Sequence, residues 1–235
     1  MTTCLGRRPG ICYDRKAVLV EKTVAIPAAL EETRIVAILR HTDPDLAVQT
    51  VQALLDGGVR AIEVTFNSRG VRDMLRAIEA AFGERVLLGA GTVLDRDSAD
   101  AALDLGARYI VSPHTDPDLV SYVAGRGVAC MPGAFSATEV LTAWRAGAAV
   151  VKLFPAGGAG PAYLKDLRGP LGHIPLLPTG GVSLDNAAAF VRAGAWGLGV
   201  GSALADATLI RERRFEELRA RAAAFAAAAV GAKAT

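Results

Sequence analysis

Lysine is scarce in this chain of 235 residues, which makes the role of each lysine worth asking. Of the 26 cationic residues 21 are Arg, and the five Lys stand at positions 16, 22, 152, 165 and 233. A cation needed only for structure is expected to be Arg in such a chain, whereas a nucleophilic amine has to be Lys. A lysine within an apolar segment is therefore a candidate for chemistry.

Other absences narrow the class of protein. The formal net charge is only +2, so we expect no nucleic-acid partner and no membrane partner. No apolar run reaches the roughly 18 residues of a membrane-spanning helix. The cysteines (Cys4, Cys12 and Cys130) form no CxxC pair, which predicts neither a disulfide framework nor a thiolate zinc site. With 51% hydrophobic residues, we expect a compact, soluble, cytoplasmic protein.

The beginning of the chain differs from the rest. The first residues lack the long apolar core of a secretory signal. We predict that residues 1–27 form a poorly defined leader and that residues 28–235 form one domain.

One short pattern returns along the chain: a glycine with a small neighbour, followed by β-branched and aliphatic residues. Such a pattern is typical of a helix closed by a left-handed glycine and followed by a strand buried on both faces. It reads GGVRAIEVTF at 57–66, LGARYIVSP at 105–113, GRGVACMPG at 125–133, RAGAAVVKLFP at 145–155 and RAGAWGLGVG at 192–201. Three further apolar runs, at 35–39, 86–92 and 175–179, complete a set of predicted strands.

The strands are predicted to start near positions 35, 61, 86, 109, 128, 149, 175 and 197. A step of about 23 residues leaves room for one helix after each strand. Because no linker interrupts this alternation, it predicts a single (β/α)8 TIM barrel, with a doubly wound open sheet as the alternative. Helix starts are expected at Asp43-Pro44, at the capping box of Ser136 and Glu139, and at Ser183. The Ala-rich segment 213–230 predicts a C-terminal helix packed on the barrel.

Polar residues that interrupt apolar strands near their carboxyl ends are the candidates for a site, because parallel barrels carry their active sites there. Lys152 lies between AAVV and LFP, and burial lowers the pKa of an amine toward that of a neutral nucleophile. Glu63 lies in AIEVTF, on the same side as Thr65. A buried carboxyl group there indicates either an ion pair with Lys152 or Arg40, or a general acid/base.

Two glycine-rich turns follow the last two predicted strands. They read TGGVS, from Thr179 to Ser183, and GVGS, from Gly199 to Ser202. Glycines let backbone N–H groups approach an anion, and the following helix adds positive potential, so these turns predict a phosphate site. Tight turns without a ligand are the alternative.

No metal is expected. His41, His114 and His173 show neither HExxH nor HxH spacing. Cys130 lies within an apolar strand and is interpreted as a core residue.

With these residues in place, the sequence resembles the 2-keto-3-deoxy-6-phosphogluconate (KDPG) aldolase family, also known as 4-hydroxy-2-oxoglutarate aldolases. The resemblance extends in order from Arg34 to about Leu204. It is carried by the stretches RIVAILR, GGVRAIEVTF, LLGAGTV, YIVSPH, MPG, VVKLFPA, GP, PTGGV and GVGSAL.

The resemblance implies a class I aldolase that uses no cofactor and no metal and forms a homotrimer. The implied reaction is the reversible cleavage of a phosphorylated keto-deoxy sugar acid to pyruvate and glyceraldehyde 3-phosphate. Lys152 matches the Schiff-base lysine, Glu63 the general acid/base, and Arg40 and Thr92 the groups near the substrate carboxylate. The remaining matches are the pocket wall at Thr65, Pro113 and Phe154 and the phosphate loops at Thr179, Gly180, Gly181, Gly201 and Ser202.

The chain departs from part of the family at Asn67, where some members carry Arg. The dipeptide Asn67-Ser68 resembles galactonate-type relatives, whereas PTGGV resembles the gluconate type, so the stereochemistry at C4 of the substrate stays open. The alternatives are an aldolase for a non-phosphorylated 4-hydroxy-2-oxo acid, a metal-dependent pyruvate aldolase, and a non-catalytic barrel that binds a sugar phosphate.

Overall fold

The computed structural model describes residues 24–231, with the backbone alone for residues 230 and 231. The leader up to residue 23, with Cys4, Cys12, Lys16 and Lys22, and Lys233 near the C-terminus lie outside the described residues. The strands are β1 (Ile35–Leu39), β2 (Ala61–Thr65), β3 (Leu87–Gly91), β4 (Tyr109–Val111), β5 (Ala129–Met131), β6 (Gly133–Ala134), β7 (Val151–Leu153), β8 (Leu176–Pro178) and β9 (Leu198–Val200).

Strands alternate with α-helices along most of the chain. The helices are α1 (Ala28–Thr33), α2 (Ala47–Asp56), α3 (Val71–Phe82), α4 (Arg96–Asp104), α5 (Pro117–Ala124), α6 (Ala137–Arg145), α7 (Ala156–Leu171), α8 (Leu184–Arg192), α9 (Ala207–Arg211) and α10 (Phe215–Gly231). Two 3-10 turns, Pro44–Leu46 and Gly83–Arg85, precede α2 and β3. No helix within residues 24–231 is long and apolar enough to cross a bilayer.

The strands form two parallel sheets. One has the order β5-β4-β3-β2-β1-β9 and the other the order β6-β7-β8. The last strand thus pairs with the first, and an isolated bridge joins Thr179, after β8, to Gly199 of β9. The predicted α/β architecture with parallel strands is confirmed.

Each of the eight predicted strands begins within two residues of its expected position, but the fifth is divided in two. Pro132 separates β5, which pairs with β4, from β6, which pairs with β7. Proline has no N–H to continue a ladder, which explains the break. Its carbonyl still accepts a hydrogen bond of 2.9 Å from the backbone of Lys152.

The strands are buried on both faces, as their apolar runs predict. Alternate residues of β1 belong to two separate hydrophobic clusters: Ile35, Ala37 and Leu39 face the helices, whereas Val36 and Ile38 face a second, smaller cluster. This alternation is the period of a strand. The second cluster also holds Leu30 of α1 and Val24, so residues just before the expected domain start are packed against the sheet.

The glycine pattern has the predicted backbone conformation. The glycines that close the helices before β2, β4, β5, β7 and β9 all have positive φ: Gly58, Gly106, Gly127, Gly147 and Gly194. The capping box of Ser136 and Glu139 is present at the start of α6. Asp43 caps the 3-10 turn and not α2 directly, because the first turn after Pro44 is tighter than an α-helix.

Two helices carry features that the sequence pattern did not indicate. The short helix α1 was not expected. Helix α7 consists of two pieces joined at Gly160, whose φ is 74° and ψ is 175°. The expected C-terminal helix is present as α10, and it packs against α2 and α8.

Candidate active site

A cavity of about 480 Å³ opens where β1, β7, β8 and β9 end. This volume lies within the range of small-molecule sites. Eight of the predicted site residues line it: Arg40, Lys152, Phe154, Thr179, Gly180, Gly181, Gly201 and Ser202.

Lys152 brings a nearly buried amine to this cavity. It lies on β7, which pairs with β6 on one side and β8 on the other, and only 3% of the residue is exposed. Its Nζ lies 4.9 Å from the ring centroid of Phe154. Burial lowers the pKa of Lys152, the carboxyl of Glu63 opposes this effect, and Arg40 adds to it. The amine is therefore shifted toward its neutral, nucleophilic form.

Glu63 is a buried carboxyl group that does not itself line the cavity. It lies on β2 and is 1% exposed. Its side chain lies over Gly91 of the neighbouring strand β3, where an added methyl group would overlap the carboxyl. Burial raises the pKa of Glu63, although the charges of Lys152 and Arg40 partly oppose this rise. Glu63 forms no salt bridge with either cation, and within residues 24–231 its Oε1 has no hydrogen-bond partner.

Arg40 supplies positive charge at the cavity. It follows β1 and is exposed, and none of the ion pairs found among residues 24–231 involves it. Its charge lowers the pKa of both Lys152 and Glu63. The guanidinium is thus available to an anionic ligand.

The two glycine turns meet at the same side of the cavity. Gly180 and Gly181 have φ values of 79° and 83°, which favour glycine over any other residue. No acceptor within the described part of the chain is bonded to the backbone N–H of Gly181 or Ser202. Helix α8 begins just beyond, after Ser183, which also lines the cavity. Free N–H groups beside a helix N-terminus suit an anion such as phosphate.

Three further predicted residues do not line this cavity. Thr65 is buried beside Glu63 on β2, and its Oγ1 lies 2.9 Å from Ser68 Oγ. Thr92 follows β3 in a left-handed conformation with φ of 57°. Pro113 follows β4 and is packed against Gly133.

The structure also places residues that sequence reasoning did not assign to the site. His41 lines the cavity beside Arg40, and its backbone N–H donates to Ser68 Oγ at 2.9 Å. Its position directly after β1 was the only signal for it. Tyr109 of β4 is fully buried near Glu63, and an apolar strand context gave no sign of a polar role. Asn67 is exposed and does not line the cavity.

Within residues 24–231, no group of three or more His, Cys, Asp or Glu side chains is placed to hold a metal. Cys130 is 1% exposed, and burial raises the pKa of its thiol to about 12. It is a core residue, as predicted.

Comparisons with known proteins identify the family of this chain. The family described as "Aldolase: KDPG and KHG aldolase" matches residues 26–220. The 2-dehydro-3-deoxy-6-phosphogalactonate aldolase of Escherichia coli (strain K12) is 37% identical over 187 residues, which are 79% of this chain and 91% of that protein. The 2-dehydro-3-deoxy-phosphogluconate aldolase of Treponema pallidum (strain Nichols) is 38% identical over 169 residues, covering 72% and 80%.

A solved structure is similar as well. The structure described as native KDPGal superposes with a TM-score of 0.80 at 37% sequence identity, covering 86% of this chain and 96% of that chain. The family match spans most of the chain, and both relatives are more than 30% identical to it over more than two thirds of its length. The chain therefore belongs to the KDPG and KHG aldolase family.

Proposed function

We propose that this protein is a class I lyase that cleaves a 2-keto-3-deoxy-6-phospho sugar acid, KDPG in the first instance, to pyruvate and glyceraldehyde 3-phosphate. The observation that supports this most directly is a buried lysine whose pKa is lowered, placed near a buried carboxyl whose pKa is raised. Groups with opposite shifts suit the roles of nucleophile and acid/base.

The first step forms the covalent intermediate. The neutral amine of Lys152 attacks the C2 ketone and gives a carbinolamine. Glu63, in its protonated form, donates a proton to the departing hydroxyl, directly or through a water, and water leaves as the iminium forms. A desolvated lysine serves here because an ammonium has no lone pair to attack with.

The second step breaks the carbon–carbon bond. The Glu63 carboxylate accepts the proton of the C4 hydroxyl, the C3–C4 electron pair moves into the iminium, and an enamine and the aldehyde result. Protonation of the enamine at C3 and hydrolysis of the imine then release pyruvate and restore Lys152. No external oxidant or reductant enters this sequence.

Substrate binding is assigned to the polar and glycine residues around Lys152. Arg40 and Phe154, which line the cavity, are assigned to the pyruvyl carboxylate and to the pocket wall. Thr92 is assigned to the carboxylate and Thr65 and Pro113 to the wall because they lie at the ends of the adjoining strands β3, β2 and β4, although they do not line the cavity. The phosphate is held by Thr179, Gly180, Gly181, Gly201 and Ser202, with the free N–H groups of the two turns in support. Because two ends of the substrate are fixed, the C3–C4 bond is oriented over the imine.

The galactonate epimer is the second candidate substrate. Relatives named for the galactonate compound, from Escherichia coli and Rhizobium meliloti (strain 1021), are 37% and 38% identical to this chain. A coupled assay with the gluconate and galactonate epimers side by side decides between them. A non-phosphorylated 4-hydroxy-2-oxo acid belongs in the same panel, because a working phosphate site makes phosphorylated substrates much the better ones.

The finer architecture is part of the same proposal: a single domain, residues 28–235, in which the two sheets close into one (β/α)8 barrel. The pairing of β9 with β1 and the bridge between Thr179 and Gly199 support closure on one side. On the other side, the hydrogen bonds from Ala149 N to Cys130 O and from Lys152 N to Pro132 O support it. We further propose a cytoplasmic homotrimer. A similar solved structure is a designed cage built "by fusing symmetric oligomeric domains", at 37% identity and a TM-score of 0.79.

Reductive trapping tests the function. Incubation with pyruvate and borohydride is expected to add one stable adduct, at Lys152, located by mass spectrometry of peptides. Lys152→Arg keeps the cation but cannot form an imine, so it is expected to trap nothing and to lose turnover. Lys165→Arg, on the exposed side of α7, is the matched control and keeps both. An adduct elsewhere, or turnover without an adduct, contradicts the proposal.

Two further measurements distinguish the imine route from a metal-dependent aldolase and from a barrel without catalysis. A metal-dependent aldolase loses activity when it is incubated with a chelator, whereas the imine route keeps it. A barrel that only binds a sugar phosphate gives no turnover with any keto-deoxy acid in the panel.

A further inference from the structure

Three polar atoms are buried without a hydrogen-bond partner within residues 24–231, and two of them belong to neighbouring side chains. The two neighbouring atoms are Glu63 Oε1 and Tyr109 Oη, and the third atom is Thr50 Oγ1 on α2. Tyr109 is fully buried on β4 among apolar residues, where a phenylalanine would leave no oxygen to satisfy. An unpaired buried hydroxyl costs free energy, so its place beside a functional carboxyl calls for an explanation.

Both side chains lie on the same face of β3. The Tyr109 ring lies over Gly89 and the Glu63 carboxyl lies over Gly91, so that a side chain at either glycine would overlap them. Residues two apart in a strand point to the same face, which makes the two side chains neighbours. Their oxygens are bonded neither to each other nor to any other group within residues 24–231. One water between the two oxygens gives each of them a partner.

We propose that Tyr109 is a positioning residue for Glu63: its hydroxyl, through one ordered water, donates a hydrogen bond to the Glu63 carboxylate from the side opposite the substrate. This inference rests on the proposed role of Glu63 as acid/base. The bond fixes which carboxyl oxygen faces the substrate, and it stabilises the ionised form that must accept the C4 proton.

The charges around Glu63 make such a bond consequential. Lys152 on β7 and Arg40 after β1 act on Glu63 from the cavity side, and Tyr109 on β4 approaches from the interior. The iminium formed on Lys152 keeps a positive charge in this set, and the interior hydrogen bond adds to the groups that keep the carboxylate ionised.

Tyr109→Phe tests the proposal because it removes only the oxygen. At saturating substrate, kcat reports groups of the covalent complex, so its acid limb follows Glu63 and not the free amine of Lys152. Loss of a donor to the carboxylate raises the pKa of Glu63, and the limb is expected to move to higher pH, with kcat on the acid side falling roughly fivefold to tenfold. KM is expected to stay within about twofold. Superimposable pH profiles overturn the proposal.

Thr50→Val is the matched control. It removes the other unpaired buried hydroxyl, which lies on α2 and does not line the cavity, so it is expected to leave the pH profile in place. Glu63→Gln separates this proposal from the proposed function. If Glu63→Gln loses turnover while Tyr109→Phe keeps the profile, only the role of Tyr109 fails; if Glu63→Gln keeps turnover, the role of Glu63 fails as well.

A second measurement uses the unaltered protein and does not depend on the folding of a variant. A high-resolution crystal structure is expected to show one ordered oxygen within hydrogen-bond distance of both Tyr109 Oη and Glu63 Oε1. If the region between them is filled by side chains or empty of density, the proposal is wrong.

Discussion

At the scale of single residues, the site depends on three groups that change one another's protonation. Burial lowers the pKa of Lys152 and raises that of Glu63, which brings both toward the neutral form. The charge of Arg40 favours a neutral Lys152 but an ionised Glu63. In the proposed mechanism, the charge of Arg40 therefore assists both the nucleophile Lys152 and the base Glu63, while the guanidinium stays available to an anion in the cavity.

This coupling predicts how the trapping rate depends on pH. Imine formation needs neutral Lys152, so its acid limb is expected below the ordinary lysine pKa of 10.5. The charge of Glu63 raises the pKa of Lys152, so Glu63→Gln is expected to move the acid limb to lower pH. The charge of Arg40 lowers the pKa of Lys152, so Arg40→Met is expected to move the acid limb to higher pH. The pH at the midpoint of the limb is therefore expected to move in opposite directions in the two variants, by about 0.5–1 pH unit. The maximum trapping rate is expected to fall in both, because in the proposed mechanism Glu63 also donates a proton and Arg40 also binds the carboxylate.

Arg72→Met is the control for these variants. Arg72 is exposed on α3 and does not line the cavity, and its loss is expected to leave the limb in place. Shifts of the same sign in Glu63→Gln and Arg40→Met contradict the assignment.

The glycine beneath Glu63 gives a second prediction at this scale. In Gly91→Ala the new methyl group overlaps the carboxyl, so we expect a loss of about 1–3 kcal/mol in the free energy of unfolding, with kcat lowered about a hundredfold or more. Urea unfolding and steady-state kinetics measure the two effects. Gly158→Ala, which meets nothing within 4 Å, is the control and is expected to stay within about 1 kcal/mol. Equal behaviour of the two variants contradicts the prediction.

The sequence alone indicates the charged and glycine-rich parts of the site. Lys152, Glu63 and the two glycine turns interrupt apolar strands, and an interruption is visible without coordinates. Their mutual arrangement is not visible, because the side chain of Glu63 crosses β3 at a glycine that reads as an ordinary strand residue. Tyr109 could not be recognised from the sequence either, because β propensity alone favours a tyrosine in a strand.

At the scale of elements, local signals decide where helices and strands begin. The glycines with positive φ end five of the helices where the repeated pattern predicts, and the capping box starts α6. The division of β5 from β6 was not predicted: β5 pairs with β4 before Pro132, and the chain pairs with β7 from the residue after it. Pairing of that kind depends on the neighbouring strands and not on local composition.

The capping box predicts a measurable contribution to stability. Ser136→Ala is expected to lower the free energy of unfolding by about 1 kcal/mol, measured by urea unfolding at neutral pH. The backbone N–H of Ser136 lowers the pKa of Glu139, so this stabilisation is present above the ordinary carboxyl pKa and is lost as the pH falls through the lowered one. Thr138→Ala, exposed on the same helix, is expected to change stability by less than about 0.5 kcal/mol. A loss as large in Thr138→Ala contradicts the role of the cap.

At the scale of the whole molecule, the architecture is organised around two cores. The larger cluster packs the helices on the strands, and the smaller one fills the other face, with α1 covering one end through Leu30. The spacing of the strands predicts this arrangement because one strand and one helix recur about every 23 residues. The short α1 was not predicted, since six residues are too few to show a helical period.

The proposed homotrimer is tested by mass. Light scattering coupled to gel filtration is expected to give about three times the 24.4 kDa of one chain, independent of loading concentration. The borohydride-trapped protein is the matched sample and is expected to keep the same mass. A mass near that of one chain contradicts the proposal.

The bare glycines of β3 have a consequence for how this site evolved. A carboxyl at position 63 fits only when position 91 has no side chain, so the two positions are epistatic. Gly91 therefore had to be present before Glu63 was tolerated. If the function is lost, Gly91 can be replaced only after Glu63 has been replaced. A lineage that abandons the chemistry is therefore expected to change Glu63 first, after which Gly91 is free to drift.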